Sequence, residues 1–314
     1  MKNKNNLIKI YERTSITERI NLLTKVDSTI LSTESADVSF DFCKYIALGH
    51  YENFPVGSVL IPQKIRKHFY SIYAFSRFAD DIADYPNILT NEERIKYLCD
   101  FENILDIYES KKTNNPIFLA LSKTIEEYNI PVDTLKKLIN AFKIDVNFKQ
   151  ADSIEDLEYY CSFSANTVGE LILRLFNQYN SNTSFFSDKI CTGLQLLNFW
   201  QDLSVDIKNG RNYIPIYILN KHSLKSDDLF VNSHINLKKC LDELLEITEN
   251  YFTIGQNLLH HIDNFRLKLE LKVIIQAGFY FLNKMKKNSL YLLKERPKLK
   301  KIDTIRIFAK ALLN

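Results

Sequence analysis

The carboxylates of Asp80, Asp81 and Asp84, and again of Asp202 and Asp206, are the side chains of this chain best spaced to do chemistry together. Each set interrupts an apolar stretch with helical periodicity. An ionised carboxylate taken out of water without a partner costs on the order of several kcal/mol. Five of them would exceed a typical net stability of about 5–15 kcal/mol. Both sets must therefore meet a wet cleft, a cation or each other. The chemistry predicted is binding of a diphosphate bridged by metal ions.

The spacing sharpens that expectation. Residues four apart on a helix lie one above the other, about 6 Å along the axis. Tyr73, Arg77, Asp80 and Asp84 make one such stripe, with Asp81 beside it and Ile72, Phe75, Ala79, Ile82 and Ala83 around it. Gln195, Asn198, Asp202 and Asp206 make a comparable row among Leu194, Leu196, Leu197, Phe199, Trp200, Leu203 and Val205. Two apolar helices marked in this way can face one another across a cavity. Mg²⁺ suits them, because it takes octahedral oxygen ligands, few of them carboxylates, and fills the remainder with water and phosphate oxygens. Asn198 can add a neutral oxygen, while Arg77 and Arg211 can grip phosphate in bidentate fashion. A single D-x-x-x-D is common on exposed helices; the pairing in apolar surroundings makes this pattern specific. The 21 Phe and 17 Tyr are mostly core, with a few rings suited to a greasy tunnel whose faces tolerate a carbocation.

The elements that must hold these rows read as helices throughout. Gly and Pro number only seven each in 314 residues, which disfavours a many-stranded architecture. Helices are expected over 40–54, 64–84, from Thr90-x-x-Glu93 (a capping box) toward Tyr108, and from Asn115-Pro116 and Pro131. Another opens at Ser153-x-x-Asp156 and breaks near Asn166-Thr167-Val168-Gly169. Long helices over 185–207, closed by Asn209-Gly210, and over 237–261, 266–293 and 304–313 complete the series. The fold class expected is all-α, a single helical domain over 36–314, with 1–35 as an N-terminal extension open to being helical.

Composition removes other classes. Hydrophobic and charged residues, 46% and 25%, are ordinary for a soluble globular chain. Five scattered cysteines without a C-x-x-C pair read as reduced thiols, and six histidines form no zinc-type set. No secretory signal is expected, nor any membrane span. Glycine-rich phosphate loops, dinucleotide fingerprints and nucleophile elbows are missing. From residue 283 onward ten Lys/Arg stand against Glu295 and Asp303. A solvated helical face is the default reading of that charge, and contact with an anionic bilayer is the second. No nucleic-acid motif accompanies it. The expected location is the cytoplasm, with peripheral attachment at the inner membrane surface left open, as is the oligomeric state.

The motifs carry a resemblance. Tyr73-Ala74-Phe75-Ser76-Arg77-Phe78-Ala79-Asp80-Asp81-Ile82-Ala83-Asp84 resembles the first aspartate motif of the squalene/phytoene synthase family. Gln195-Leu196-Leu197-Asn198-Phe199-Trp200-Gln201-Asp202, with Asp206 and Gly210-Arg211-Asn212-Tyr213-Ile214-Pro215, resembles the second. Tyr160-Cys161-Ser162 with Ser164-Ala165-Asn166-Thr167-Val168-Gly169 is similar to the family's kinked central helix. His50-Tyr51-Glu52-Asn53-Phe54-Pro55-Val56-Gly57-Ser58 and Asn198-Phe199-Trp200-Gln201-Asp202 resemble the hydroxysqualene synthase branch. Condensing members mostly have arginine where this chain has Gln201.

The resemblance implies an isoprenoid-synthase-like helical bundle around a central cavity, and Mg²⁺-dependent conversion of presqualene diphosphate and water to hydroxysqualene and diphosphate, as in hopanoid biosynthesis. It places Asp80, Asp81, Asp84, Asp202 and Asp206 on magnesium with Asn198 assisting, and Arg77, Arg211 and Tyr213 on diphosphate. Tyr73 and Gln195 would line the reacting end, and Gln201 or Asn166 would position the quenching water. Two other readings stand beside it: a transferase joining two farnesyl diphosphates head to head, and a non-catalytic lipid-binding or assembly protein.

Overall fold

A computed structural model describes residues 2–27, 30–49, 61–107, 113–226, 229, 235–298 and 301–313. The described residues contain helices and no strand, so the expected all-α class is met. The stretch His50–Ser58 lies outside them. Contacts divide the chain into two compact units, Met1–Asn147 with Leu171–Asn177, and Phe148–Glu170 with Gln178–Asn314.

The first unit contains α1 (Lys2–Arg13), α2 (Ile16–Leu23), α3 (Ala36–Gly49), α4 (Gln63–Ala83), α5 (Asn91–Ile107), α6 (Pro116–Tyr128) and α7 (Val132–Val146). Helix α4 packs against α3, α5, α6 and α7. Its buried face is anchored by Phe75, whose ring stacks on Phe101 at 5.1 Å and meets Phe118 edge-on at 5.8 Å. Leu7, Tyr11, Ile20 and Leu23 from the first two helices are buried in the same core. A reciprocal capping box between Ser15 and Glu18 starts α2, a local signal passed over in the sequence. The Thr90/Glu93 box and the Asn115 cap stand where the sequence places them. Pro131 caps α7 from outside instead of occupying its first turn.

The second unit is built on α8 (Ile154–Phe163), α9 (Ala165–Leu175, which passes into the first unit after Glu170), α10 (Ser181–Asp206), α11 (Ile216–Lys221), α12 (Ile235–Gly255), α13 (Phe265–Lys286) and α14 (Lys301–Leu313). The break expected near Asn166–Gly169 falls earlier, at Ser164, whose φ of −87° and ψ of −87° leave the helical region. Gly169 is instead inside α9, where a Cβ would sit 2.6 Å from Ser187 Oγ; it serves close helix approach. Helix α10 begins before Phe185, because Asn180 and Thr183 form a capping box whose third position is not the usual Glu or Gln. Gly210, at φ +80°, ends the following 3-10 turn in the left-handed region, as expected of the Asn209-Gly210 stop. The helices expected over 237–261 and 266–293 stop at Gly255 and Lys286, and each tightens into a 3-10 segment (Gln256–His260 and Ser289–Leu293).

Candidate active site

In the first unit, one face of α4 is committed to the core and the other carries the acidic stripe. Phe75, Phe78, Ala79 and Ile82 are buried, so Tyr73, Arg77, Asp80 and Asp81 are left half-exposed on the remaining surface. Asp84 is the exposed C-cap, its N–H donating to Asp80 O at 2.9 Å. Buried Arg94 donates to the carbonyl of Ala83, at 2.5 Å, and so secures the helix end that presents Asp84.

Arg77 spans two of the carboxylates, with Nη1 3.2 Å from Asp80 Oδ2 and Nη2 2.7 Å from Asp81 Oδ1. Burial works against its charge, but Asp81 and Asp80 outweigh that and push its pKa above the ordinary value. One guanidinium does not balance the stripe. Burial, reinforced by Asp84, pushes the Asp80 carboxyl up to about 7; Arg77 opposes the shift, and Asp81 and Asp145 add to it. Burial likewise raises the Tyr73 hydroxyl, with Asp80 and Asp81 adding and Arg77 opposing. Asp145, on α7, was not legible as a site residue because nothing local on its own helix marks it. Nor was the approach of the N-terminal helices: Tyr11 feels the charges of Arg19 and Asp81 together.

In the second unit, Trp200 donates its indole N–H to Thr248 on α12, which fixes the rotation of α10. At 3.6 residues per turn, Asp202 lies about 200° around the helix from Trp200, and Gln195, Asn198 and Asp206 fall close to Asp202. Asn198 is exposed, and Gln195, Asp202 and Asp206 are half-buried. Burial and then Asp202 push the Asp206 carboxyl up to about 6, against Arg211 and Arg296. Burial also raises Asp202, opposed by Arg296, whose Nε lies 2.5 Å from Asp202 Oδ1. Arg211 follows the Gly210 turn, its N–H donating to Asp206 O at 2.8 Å. Tyr213 stacks on Phe199, centroids 3.9 Å apart and planes 10° apart. Asn166 Oδ1 accepts from Thr192 Oγ1 at 3.1 Å. Gln201 Nε2 donates to Pro297 O at 2.8 Å.

The structure thus gathers Tyr73, Arg77, Asp80, Asp81 and Asp84 along the C-terminal half of α4, and Gln195, Asn198, Asp202, Asp206 and Arg211 along α10 and its exit. Among the described residues no three His, Cys, Asp or Glu side chains form a ready-made cage for one ion. The donor set nevertheless fits a hard divalent cation. The ligating groups each row offers are oxygens, and Asp80 and Asp206, raised by burial and a neighbouring aspartate, and Asp202, raised by burial, would be relieved by a cation. Mg²⁺ asks for few carboxylates per ion and takes phosphate oxygens for the rest.

The squalene/phytoene synthase family model matches residues 48–303. Hydroxysqualene synthase from Rhodopseudomonas palustris is 31% identical over 71% of this chain and 75% of its own length. Phytoene synthase from Mycobacterium bovis is 26% identical over 67% of this chain and 70% of its own. The crystal structure of squalene synthase HpnC from Alicyclobacillus acidocaldarius superposes with a TM-score of 0.75 at 31% identity, covering 80% of this chain and 94% of that one. A dehydrosqualene synthase, 21% identical with a TM-score of 0.77 over 88% of this chain and 96% of its own, shares the fold. The chain belongs to the squalene/phytoene synthase family, whose all-helical isoprenoid-synthase fold it adopts. Among the described residues no helix is long and apolar enough to cross a membrane.

Proposed function

We propose that the protein converts presqualene diphosphate and water to hydroxysqualene and diphosphate. The observation that carries this reading is that the two aspartate rows emerge on solvent-reached helix faces and that Asp80 and Asp206 are held well above the ordinary carboxylate range by burial and a neighbouring aspartate, in a chain 31% identical to a hydroxysqualene synthase. Asp80, Asp81 and Asp84 in the first row, and Asp202 and Asp206 with Asn198 assisting in the second, would hold Mg²⁺, which when bound would supply positive charge to a departing diphosphate.

The chain's own groups do the rest. Arg77 and Arg211 bind diphosphate oxygens and keep the leaving group oriented. The C–O bond breaks with its electron pair going to diphosphate, the cyclopropylcarbinyl cation opens, and water adds and gives up a proton. Tyr73 and Gln195 line the reacting end. Tyr213 is stacked on Phe199, so its ring is fixed in place and its hydroxyl can meet the diphosphate. Asn166, oriented by Thr192, and Gln201, whose amide is anchored on the Pro297 carbonyl, are the two candidates to place the water.

A second reading, condensation of two farnesyl diphosphates, is supported by the 26% identity to a phytoene synthase. Purified protein offered presqualene diphosphate with Mg²⁺, and separately farnesyl diphosphate with Mg²⁺, separates the two. Hydroxysqualene from the first and no C30 product from the second supports the lyase; efficient turnover of farnesyl diphosphate replaces it with the transferase.

Peripheral attachment to an anionic bilayer belongs to the same reading. Lys284, Lys287, Arg306 and Lys310 border one cavity of about 280 Å³, a cationic cluster suited to lipid phosphates. Co-sedimentation with anionic but not neutral vesicles tests it.

A further inference from the structure

Two adjacent residues of α10 hold two adjacent residues far along the chain. Gln201 Nε2 donates to the carbonyl of Pro297, 96 positions away, at 2.8 Å. Arg296 Nε lies 2.5 Å from Asp202 Oδ1. Residues 296–298 therefore run as a strap along the second acidic row. A second tether holds the next residue, Lys284 Nζ donating to Lys298 O at 2.5 Å. Gln201 lies about 100° around the helix from Asp202, beside the row and not in it. Its position and its partner suit holding a neighbour more than handling substrate.

The strap meets a carboxylate that a divalent ion also wants. The Arg296 side chain is 52% exposed and that of Asp202 29%, so solvent reaches the pair from the arginine side while the contacting Oδ1 is closed off. A half-exposed pair of this kind is weak and yields to a stronger cation. The segment also has room to shift, because Arg296, Pro297 and Lys298 border a cavity of about 690 Å³ with Lys284, Met285 and Tyr291. Without its bond to Gln201, Arg296 would sit on a turn held only through Lys298, and fewer of its conformations would reach Asp202.

We propose that Gln201 is a positioning residue: through the Pro297 carbonyl it seats a C-terminal strap whose Arg296 takes the place of a cation on Asp202, so that strap and divalent ion exclude one another there. The proposal rests on reading the second row as a divalent-ion site. It gives the glutamine that stands before Asp202 a task other than contact with substrate. It also makes the order of the C-terminal segment respond to metal.

The test uses the full chain as wild type, Gln201→Ala, Gln201→Glu and Arg296→Ala, with circular dichroism confirming the fold of each. Hydrogen exchange over residues 292–298 is measured without and with Mg²⁺, and Mg²⁺ alone is titrated by calorimetry. Strap exchange should rise several-fold in both Gln201 variants without metal, since neither alanine nor a carboxylate can donate to the carbonyl. It should rise in the wild type when Mg²⁺ is added. Arg296→Ala should bind Mg²⁺ about three- to tenfold more tightly, the range expected from losing a weak competing pair. Unchanged exchange in the Gln201 variants overturns the positioning role. Equal or weaker Mg²⁺ binding by Arg296→Ala overturns the competition. A wild type that takes up no Mg²⁺ at all removes the metal reading instead, and the metal-free exchange of the Gln201 variants still decides the strap.

Discussion

Trp200 donates its indole N–H to Thr248 Oγ1 at 2.8 Å, and both residues are closed off from solvent. Thr248 passes its own proton to Leu244 O, so each polar atom of this buried chain has a partner. The bond sets which face of α10 turns inward, and with it where Asp202 and Asp206 emerge.

Thr248→Val keeps the shape and deletes the acceptor, leaving an indole N–H unpaired in the core. A loss of about 1–3 kcal/mol is expected. Urea unfolding should show a lower midpoint at unchanged slope, and Thr248→Ser should recover most of the difference.

Asp80→Asn and Asp202→Asn should each lower kcat for diphosphate release by about 10²-fold or more, the scale on which single electrostatic groups act in catalysis. Both proteins should remain folded. Release of inorganic diphosphate, measured beside a helical circular dichroism spectrum, checks this; near wild-type turnover by either variant would remove that aspartate from the machinery.

The same Asp80 predicts a pH effect in metal-free protein. Its folded pKa, about 7, lies above the ordinary carboxylate value, so the native state holds a proton that the unfolded chain has already released. The associated stability is fully present below the ordinary pKa and is lost as pH rises toward 7. Melting temperature of wild type relative to Asp80→Asn should therefore fall between about pH 4 and pH 7 and level off above. Asp206, raised to about 6, should give a smaller decline that ends earlier when wild type is compared with Asp206→Asn.

His68 should act in the opposite direction. It is buried between Thr124, 3.0 Å from Nδ1, and Glu127, 3.1 Å from Nε2. Burial lowers its pKa, outweighing Glu127, which raises it; Lys67 adds to the lowering. A depressed folded pKa contributes stability above the unfolded value, about 6.5, that is lost as pH falls through the folded one. Thermal melts of His68→Gln should lose the part of the acid destabilisation that this imidazole causes.

Two glycines on helices should behave differently. At Gly255 an added Cβ would lie 2.7 Å from Ile190 Cγ1 and 2.8 Å from its backbone nitrogen, which cannot step aside. Gly255→Ala should cost about 1–3 kcal/mol through overpacking, more than the gain in helix propensity returns. At Gly49 nothing among the described residues lies within 4 Å of the added carbon, so Gly49→Ala should stabilise by up to about 1 kcal/mol. Calorimetry of the pair separates crowding from propensity.

What could be read from residues alone is what depends on local spacing. The i, i+4 and i, i+7 intervals put Tyr73, Arg77, Asp80 and Asp84 on one stripe, and Gln195, Asn198, Asp202 and Asp206 on another. Ser153 with Asp156, Thr90 with Glu93, and Gly210 mark element ends by short-range hydrogen bonding or a positive φ. The motifs also disclosed the family. Less usual local chemistry is harder to read: the Asn180/Thr183 box lacks the customary Glu or Gln, and the chain breaks at Ser164, ahead of the Asn166–Gly169 stretch that its glycine suggests.

Tertiary structure alone decided what arrives from distant sequence. Asp145 reaches the field of Asp80 from another helix, Tyr11 senses Asp81 from the N-terminus, and Arg296 and Pro297 come to rest on Asp202 and Gln201. None of these has a periodicity to betray it, because helix spacing encodes neighbours within a few turns and says nothing about which side chains the packing of whole helices will bring together.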